Sequence, residues 1–110
     1  MDALNTPPIV DVIIPAFNEE KSIAKVIGDI PALVRHVVVA NNNSTDRTAE
    51  LATSAGAQVV FEPQKGYGKA CLTAMEWIKR QEVQPDILVF LDGDYSDYPE
   101  ELEDLIAPIL

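Results

Sequence analysis

Two carboxylates one residue apart, Asp92 and Asp94, flank Gly93 directly after the apolar run Ile87-Leu88-Val89-Phe90-Leu91. A short continuous apolar run reads as a buried strand, so the acids are delivered at its end. Hard oxygen donors placed this way suit Mg²⁺ or Mn²⁺, an ion normally shared with the phosphates of a nucleotide. By itself the Asp-x-Asp spacing is weak, because exposed acids are common on any protein surface. Seven acids lie between Asp92 and Asp104, with no Lys or Arg among them. Part of that cluster has a plain cause: Pro99 suits a first helical position, and Glu100 and Glu101 would then sit in a first turn, where the helix dipole favours negative charge. Asp92 and Asp94 precede that helix and are not explained by it.

The elements that must position these acids alternate regularly along the chain. Ile9 to Ile14 is a strand-forming run ended by Pro15, and Ile23, Val26, Ile27 and Ile30 then recur at helical spacing until Pro31. Val37-Val38-Val39 predicts a second short strand, followed by the polar loop Asn41 to Asp46 and a helix over Arg47 to Ala55 that Gly56 closes. Gln58 to Phe61 predicts a third strand, and a loop bearing Gly66 and Gly68 leads into a helix through Ala70, Ala74, Met75 and Ile78. Ile87 to Leu91 is the fourth strand, and Leu102, Leu105, Ile106 and Ile109 mark a last helix. Strands alternating with helices through short connections imply an α/β fold with a parallel sheet and right-handed crossovers. Residues 1–8 read as a flexible tail and 9–110 as one domain.

Composition narrows the function classes. With 110 residues, 47% hydrophobic and 24% charged, the chain has the make-up of a single globular domain. A formal charge of −10 argues against a nucleic-acid partner, which requires a basic face. No apolar stretch approaches the ~20 residues of a membrane span, and no secretory signal is visible. The single Cys71 fits a reducing, cytoplasmic location and reads as a small core residue on a helix rather than a nucleophile.

The unusual residues gather at corresponding places. Pro15-Ala16-Phe17-Asn18-Glu19, Asn41-Asn42-Asn43-Ser44-Thr45-Asp46, Gly66-Tyr67-Gly68-Lys69 and Asp92-Gly93-Asp94 each follow a predicted strand. In an open parallel sheet those strand ends share one edge, where ligands bind. The stretches VDVIIPAFNEE, VVVANNNSTDRTAELA, QKGYGKACLTAM and VFLDGDYSDYPEEL, in this order, resemble the inverting family-2 glycosyltransferases of the GT-A fold. The GYGKA block and the Pro-Glu pair after Asp-x-Asp look most like the dolichyl-phosphate mannose synthase and polyprenyl-phosphate sugar transferase branch.

That resemblance implies a Rossmann-like parallel sheet of four strands in the order 3-2-1-4 with flanking helices, the N-terminal half of a GT-A fold. It implies metal-dependent binding of a UDP- or GDP-sugar, with Mn²⁺ or Mg²⁺ as cofactor, and transfer of the hexose to an acceptor such as a polyprenyl phosphate or glycan. Donor-binding positions carried over from the family are Pro15, Ala16, Phe17 and Glu19 after the first strand, and Ala40, Asn41 and Asn42 at the end of the second. Lys69 would add a positive charge, and Gly66 and Gly68 close approach to the donor. Asp92, Gly93 and Asp94 would meet the ribose and the bridging metal, with Asp92, Asp94 and Ser96 as metal ligands.

The chain departs from the family pattern in two respects. Family members usually carry Asp-Asp or Asp-Asn where Asn41-Asn42 stands, which puts the preferred base in question, since an amide both donates and accepts. Members also continue past this length, so the general base is expected beyond Leu110 and the chain is expected to be an inactive fragment by itself. His36, ahead of the second strand and far from the pocket, reads as a surface histidine. An uncovered apolar fourth strand predicts a homodimer through that edge, and the complete enzyme could associate with the cytoplasmic face of a membrane. Alternatives are a non-catalytic nucleotide- or protein-binding module and a nucleotidyltransferase. The latter usually shows a Gly- and Arg/Lys-rich loop after the first strand, where this chain has Pro15-Ala16-Phe17-Asn18-Glu19.

Overall fold

The computed structural model of the chain describes residues 7–94. Ser96 and the expected last helix lie outside the described residues. Four parallel strands, β1 (Val10–Ala16), β2 (Val34–Asn41), β3 (Gln58–Phe61) and β4 (Ile87–Phe90), form one sheet in the order β3-β2-β1-β4. Helices α1 (Ile23–Gly28), α2 (Thr48–Ser54) and α3 (Tyr67–Lys79) connect them.

The central strand is covered on both faces. Val12, Ile14 and Ala16 pack with Ile23, Val26 and Ile27 of α1 and Ala52 of α2. Ile13 faces the opposite way, with Val38 and Ala40 of β2 against Ala70, Ala74 and Ile78 of α3. The small residues on α3 allow the helix to lie close to the sheet, and the β-branched run of β1 suits a strand that has no solvent face. α1 is shorter than the apolar spacing predicts: it stops at Gly28, and Ile30 packs against the core from the segment beyond it.

β2 is longer than predicted, running from Val34 rather than Val37. Its polar start concealed it. The register shifts between Val10 and Asp11, which pair with Val34 and His36, so that Arg35 is bulged out of the ladder. Arg35 turns back onto Asp11, fully buried on β1: its Nε and Nη2 donate to the two carboxylate oxygens at 3.1 and 2.7 Å, and the His36 N–H donates to Oδ1 at 3.1 Å. The bonded carboxylate raises the Arg35 pKa further above its ordinary value. His36 corrects the expectation of a surface histidine: it lies within β2, half-buried, with its ring edge-on to Trp77 of α3 at 5.2 Å.

One missing donor shapes the opposite end of the sheet. The Leu91 N–H donates to the Ile13 carbonyl at 3.0 Å. The next rung of that parallel ladder would need an N–H at position 15, which Pro15 lacks. The β1–β4 pairing therefore ends at Ile13 and Phe90, while β1 stays paired with β2 through Ala16 and Asn41. Beyond that point the two segments are free to part, and Asp92 to Asp94 leave the sheet beside β1.

Replacing Arg35 with Met would strand a buried carboxylate with one backbone donor. We expect Arg35→Met to lower the unfolding free energy by about 3–5 kcal/mol, the usual cost of breaking a buried pair on one side. Urea denaturation followed by circular dichroism measures it, and a loss below about 1 kcal/mol would show that the carboxylate is satisfied by water instead.

Candidate functional site

A cleft of about 230 Å³ opens at the carboxyl ends of the strands. Pro15, Ala16, Phe17 and Glu19 line one side, Asp92, Gly93 and Asp94 another, and Asn42, Tyr67 and Ala70 complete it. Residues distant in sequence converge here because parallel strands place every strand-to-helix loop at the same edge. Ala40 and Lys69 do not line the cleft: Ala40 is fully buried in the α3-facing core, and Lys69 is exposed on the first turn of α3. Asn41 is buried outside the lining, and its Oδ1 accepts the Ser44 N–H at 3.0 Å. Tyr67 and Ala70 were not among the expected donor-binding positions, although both belong to the GYGKA block that the sequence places at this edge.

The loops around the cleft are held by side chains bonded to backbone. Asn18 has a φ of 52°, in the left-handed region that Asn tolerates. Its N–H donates to Ser44 Oγ at 3.0 Å and its Oδ1 accepts the Thr45 N–H at 2.9 Å. The Glu19 N–H donates to Thr48 Oγ1 at 2.8 Å, and the Glu20 N–H to Asp46 Oδ2 at 3.2 Å. Asp46 also accepts the Thr48 N–H at 3.0 Å and the Thr48 hydroxyl. Burial acts to raise the Asp46 pKa, but these bonds outweigh it and hold the carboxyl below its ordinary value.

Asn42 acts as a brace. Its Nδ2 donates to the Glu62 carbonyl at 3.1 Å and the Gln64 carbonyl at 2.7 Å, while its Oδ1 accepts the Gly66 N–H at 2.9 Å. The amide is thus committed to the β3–α3 loop. Gly66 is fixed by backbone conformation, with φ of 139°, and not by crowding: a Cβ on Gly66 or Gly68 would meet nothing within 4 Å. Gly93 is the crowded position, where a Cβ would lie 3.3 Å from Glu19 Cγ and 3.5 Å from Ala16 Cβ and Ile14 Cγ2. Its carbonyl accepts the Ser22 hydroxyl at 2.5 Å, which draws the Asp-x-Asp turn onto the start of α1.

Negative charge concentrates at this end. Burial raises the Glu19 pKa, the Asp94 carboxylate adds to the effect, the Ser22 hydroxyl opposes it, and Asp46 and Asp92 raise it further. Among the described residues no three His, Cys, Asp or Glu converge closely enough to form a protein-only cation cage. A pair of hard carboxylate donors is instead the arrangement that holds Mg²⁺ together with ligand phosphates and water. Cys71 is buried on α3: burial pushes its thiol up, the bond with Tyr67 opposes that, and Asp92 raises it further.

At the rim, Phe17 is 41% exposed, and the Lys65 ammonium lies 4.3 Å from its ring centroid. An exposed cation–π contact contributes ~0.5–1 kcal/mol, while fixing a lysine side chain costs up to ~2 kcal/mol in lost rotamer freedom. The contact is therefore readily exchanged for another.

The sequence pattern of the family described as Glycosyl transferase family 2 matches residues 11–110, a span that includes every residue lining the cleft. The chain belongs to that family. Within it, the chain is 40% identical over 100 residues to an uncharacterized glycosyltransferase of Mycobacterium tuberculosis, covering 91% of this chain and 43% of the relative. It is 41% identical over 101 residues to protein RfbJ of Shigella flexneri, covering 86% and 74%. Among solved structures, glucosyl-3-phosphoglycerate synthase of Mycobacterium tuberculosis in complex with Mn²⁺, UDP-glucose and phosphoglyceric acid superposes with a TM-score of 0.77 at 30% identity, over 94% of this chain and 39% of that one. The same synthase has also been solved with Mg²⁺ and UDP. The chain thus spans less than half the length of the two mycobacterial proteins. No helix among the described residues is long and apolar enough to cross a membrane.

Two outcomes follow from the loop bonding. Asn42→Asp would remove both donations and set a carboxylate against the Glu62 and Gln64 carbonyls; we expect a loss of about 1–3 kcal/mol in urea unfolding, the cost of leaving buried polar groups unpaired. The second concerns pH. A carboxyl whose folded pKa is depressed contributes stability above its unfolded pKa and loses it as pH falls through the folded value. The tie between Asp46 and the Glu20 and Thr48 N–H groups should therefore persist at neutral pH and release only below the ordinary Asp range. Amide exchange of Glu20 and Thr48 in acid would report it, and unchanged protection in Asp46→Ala, which has no side-chain acceptor, would sink the assignment.

Proposed function

We propose that this chain is the donor-binding part of a glycosyltransferase that takes a nucleotide diphosphate sugar with Mn²⁺ or Mg²⁺. The single observation that carries the reading is the convergence of Asp92 and Asp94 with the β1 loop and Asn42 around one cleft at the carboxyl edge of the sheet. The Mn²⁺- and UDP-glucose-bound synthase with the same fold supports a uridine donor over a guanosine one.

In this reading Asp92 and Asp94 hold the cation against the diphosphate, and Ser96 follows them closely in sequence as a third oxygen donor. Gly93 keeps the turn close to β1, because a side chain there would press on Glu19. Phe17 offers an apolar platform for the base. The metal, when bound, offsets the charge that builds on the departing nucleoside diphosphate. Asn42 contributes indirectly, by fixing the loop that carries Lys65 and Gly66. Lys69, Ala40 and Asn41 act from outside the lining, the last two by packing and by shaping the loop after β2.

The acceptor is proposed on sequence likeness alone, as a polyprenyl phosphate or glycan, and the base that activates it is assigned to no described residue. Self-association is proposed through β4, which pairs only with β1 among the described residues and leaves Phe90 41% exposed. A monodisperse monomer in light scattering at tens of micromolar protein would remove that part of the proposal.

The direct test is calorimetry with UDP and UDP-glucose in the presence and absence of Mn²⁺. Asp94→Ala should weaken metal-supported binding at least about tenfold, or ~1.4 kcal/mol. Equal affinity with and without metal, or an unaffected variant, would overturn the reading.

A further inference from the structure

Recognition of a base needs donors and acceptors near its edge, and the cleft has few donors to give. Glu19, Asp92 and Asp94 are acids, and Asn42 spends its amide on Glu62, Gln64 and Gly66. Lys65 is the cation at the Phe17 end. Although the chain carries 18 acids, Lys65 forms no ion pair among the described residues; its ammonium rests on the Phe17 ring. Its backbone is held from both sides, since Asn42 bonds the carbonyl of Gln64 before it and the N–H of Gly66 after it. A long flexible side chain on a fixed base, in a weak contact with a cleft-lining aromatic, is placed to exchange that contact for one to a ligand lying on the same aromatic.

We infer that Lys65 and Phe17 form a base-reading pair: the ring carries the nucleobase and the ammonium selects a base with a carbonyl oxygen at the edge it reaches. An ammonium has three donors and no acceptor. Uracil carries a carbonyl oxygen at C4 and guanine at C6, where cytosine and adenine carry an amino group that an ammonium cannot bond; the C2 carbonyl that cytosine shares with uracil lies beside the ribose, at the other end of the ring. The selectivity is thus for keto over amino bases. The inference rests on the nucleotide-binding reading above and names Lys65, outside the Asp-x-Asp turn, as a specificity residue of that site.

The test is calorimetry of the 110-residue chain with UDP, GDP, CDP and ADP in Mn²⁺, for wild type, Lys65→Met and Lys65→Arg, with melting curves as a control on folding. We expect wild type to prefer UDP or GDP over CDP and ADP by about tenfold. Lys65→Met should reduce that ratio to about one by weakening the keto nucleotides alone, and Lys65→Arg, still donor-only, should keep it. If Lys65→Met weakens all four nucleotides equally, the ammonium serves the phosphates and the base-reading role is overturned. Unchanged affinities in Lys65→Met overturn it as well, while leaving nucleotide binding intact. Wild type that binds none of the four overturns the nucleotide reading, and this inference with it.

Discussion

Up to Ile13 the central strand is bonded along both edges; beyond it, along one, because Pro15 has no N–H to offer the β4 side. A sheet that continued its ladder for one more rung would draw Asp92 and Gly93 into regular pairing. The missing donor lets the chain after β4 turn away beside β1, and the cleft occupies the room between them. Everything else at this end follows from where that parting occurs. Phe17 and Glu19 stand on the β1 lip of the opening, the two aspartates on the β4 lip, and the crowded Gly93 keeps the lips close.

The loops around the opening have little apolar surface to bury, so polar side chains order them. Asn18, Asn42, Asp46 and Thr48 each bond backbone groups of a neighbouring loop, and in doing so satisfy donors and acceptors that regular structure leaves behind. The far end of the sheet uses a different means. There the buried Asp11 is matched by Arg35 and the His36 N–H. Stability at that end is separable from ligand chemistry at the other, since the two polar networks share no residue.

Much of this was legible in the sequence because periodicity and punctuation agree. The β-branched runs, the helical spacings and the loops after each strand predict the strand and helix order, and the Asp-x-Asp turn predicts the edge at which the cleft opens. What escaped were features written in tertiary contacts. Arg35 and His36 look like the end of a loop until Asp11 and Trp77 are placed beside them, so β2 reads three residues short at its start. Asn42 reads in the sequence as a donor-binding position; that its amide also braces the neighbouring loop is visible only in three dimensions. Lys65 carries no pattern of its own and gains meaning only from its contact with Phe17.

The pairing of β4 with β1 also bears on how the domain comes together. Val10 lies beside Ile87 and the Ile9 N–H bonds Asp86 across 77 positions of sequence, whereas β1, β2 and β3 are joined by successive short crossovers. Closing the longer loop costs more chain entropy, and contacts so distant in sequence slow the search for the native state. The three-stranded portion with its helices can therefore form before the fourth strand docks. The aspartates follow that fourth strand, so the acidic end of the cleft is completed only when the strand docks, and a ligand that bridges it to the β1 loop would favour the docked state over a partly assembled one.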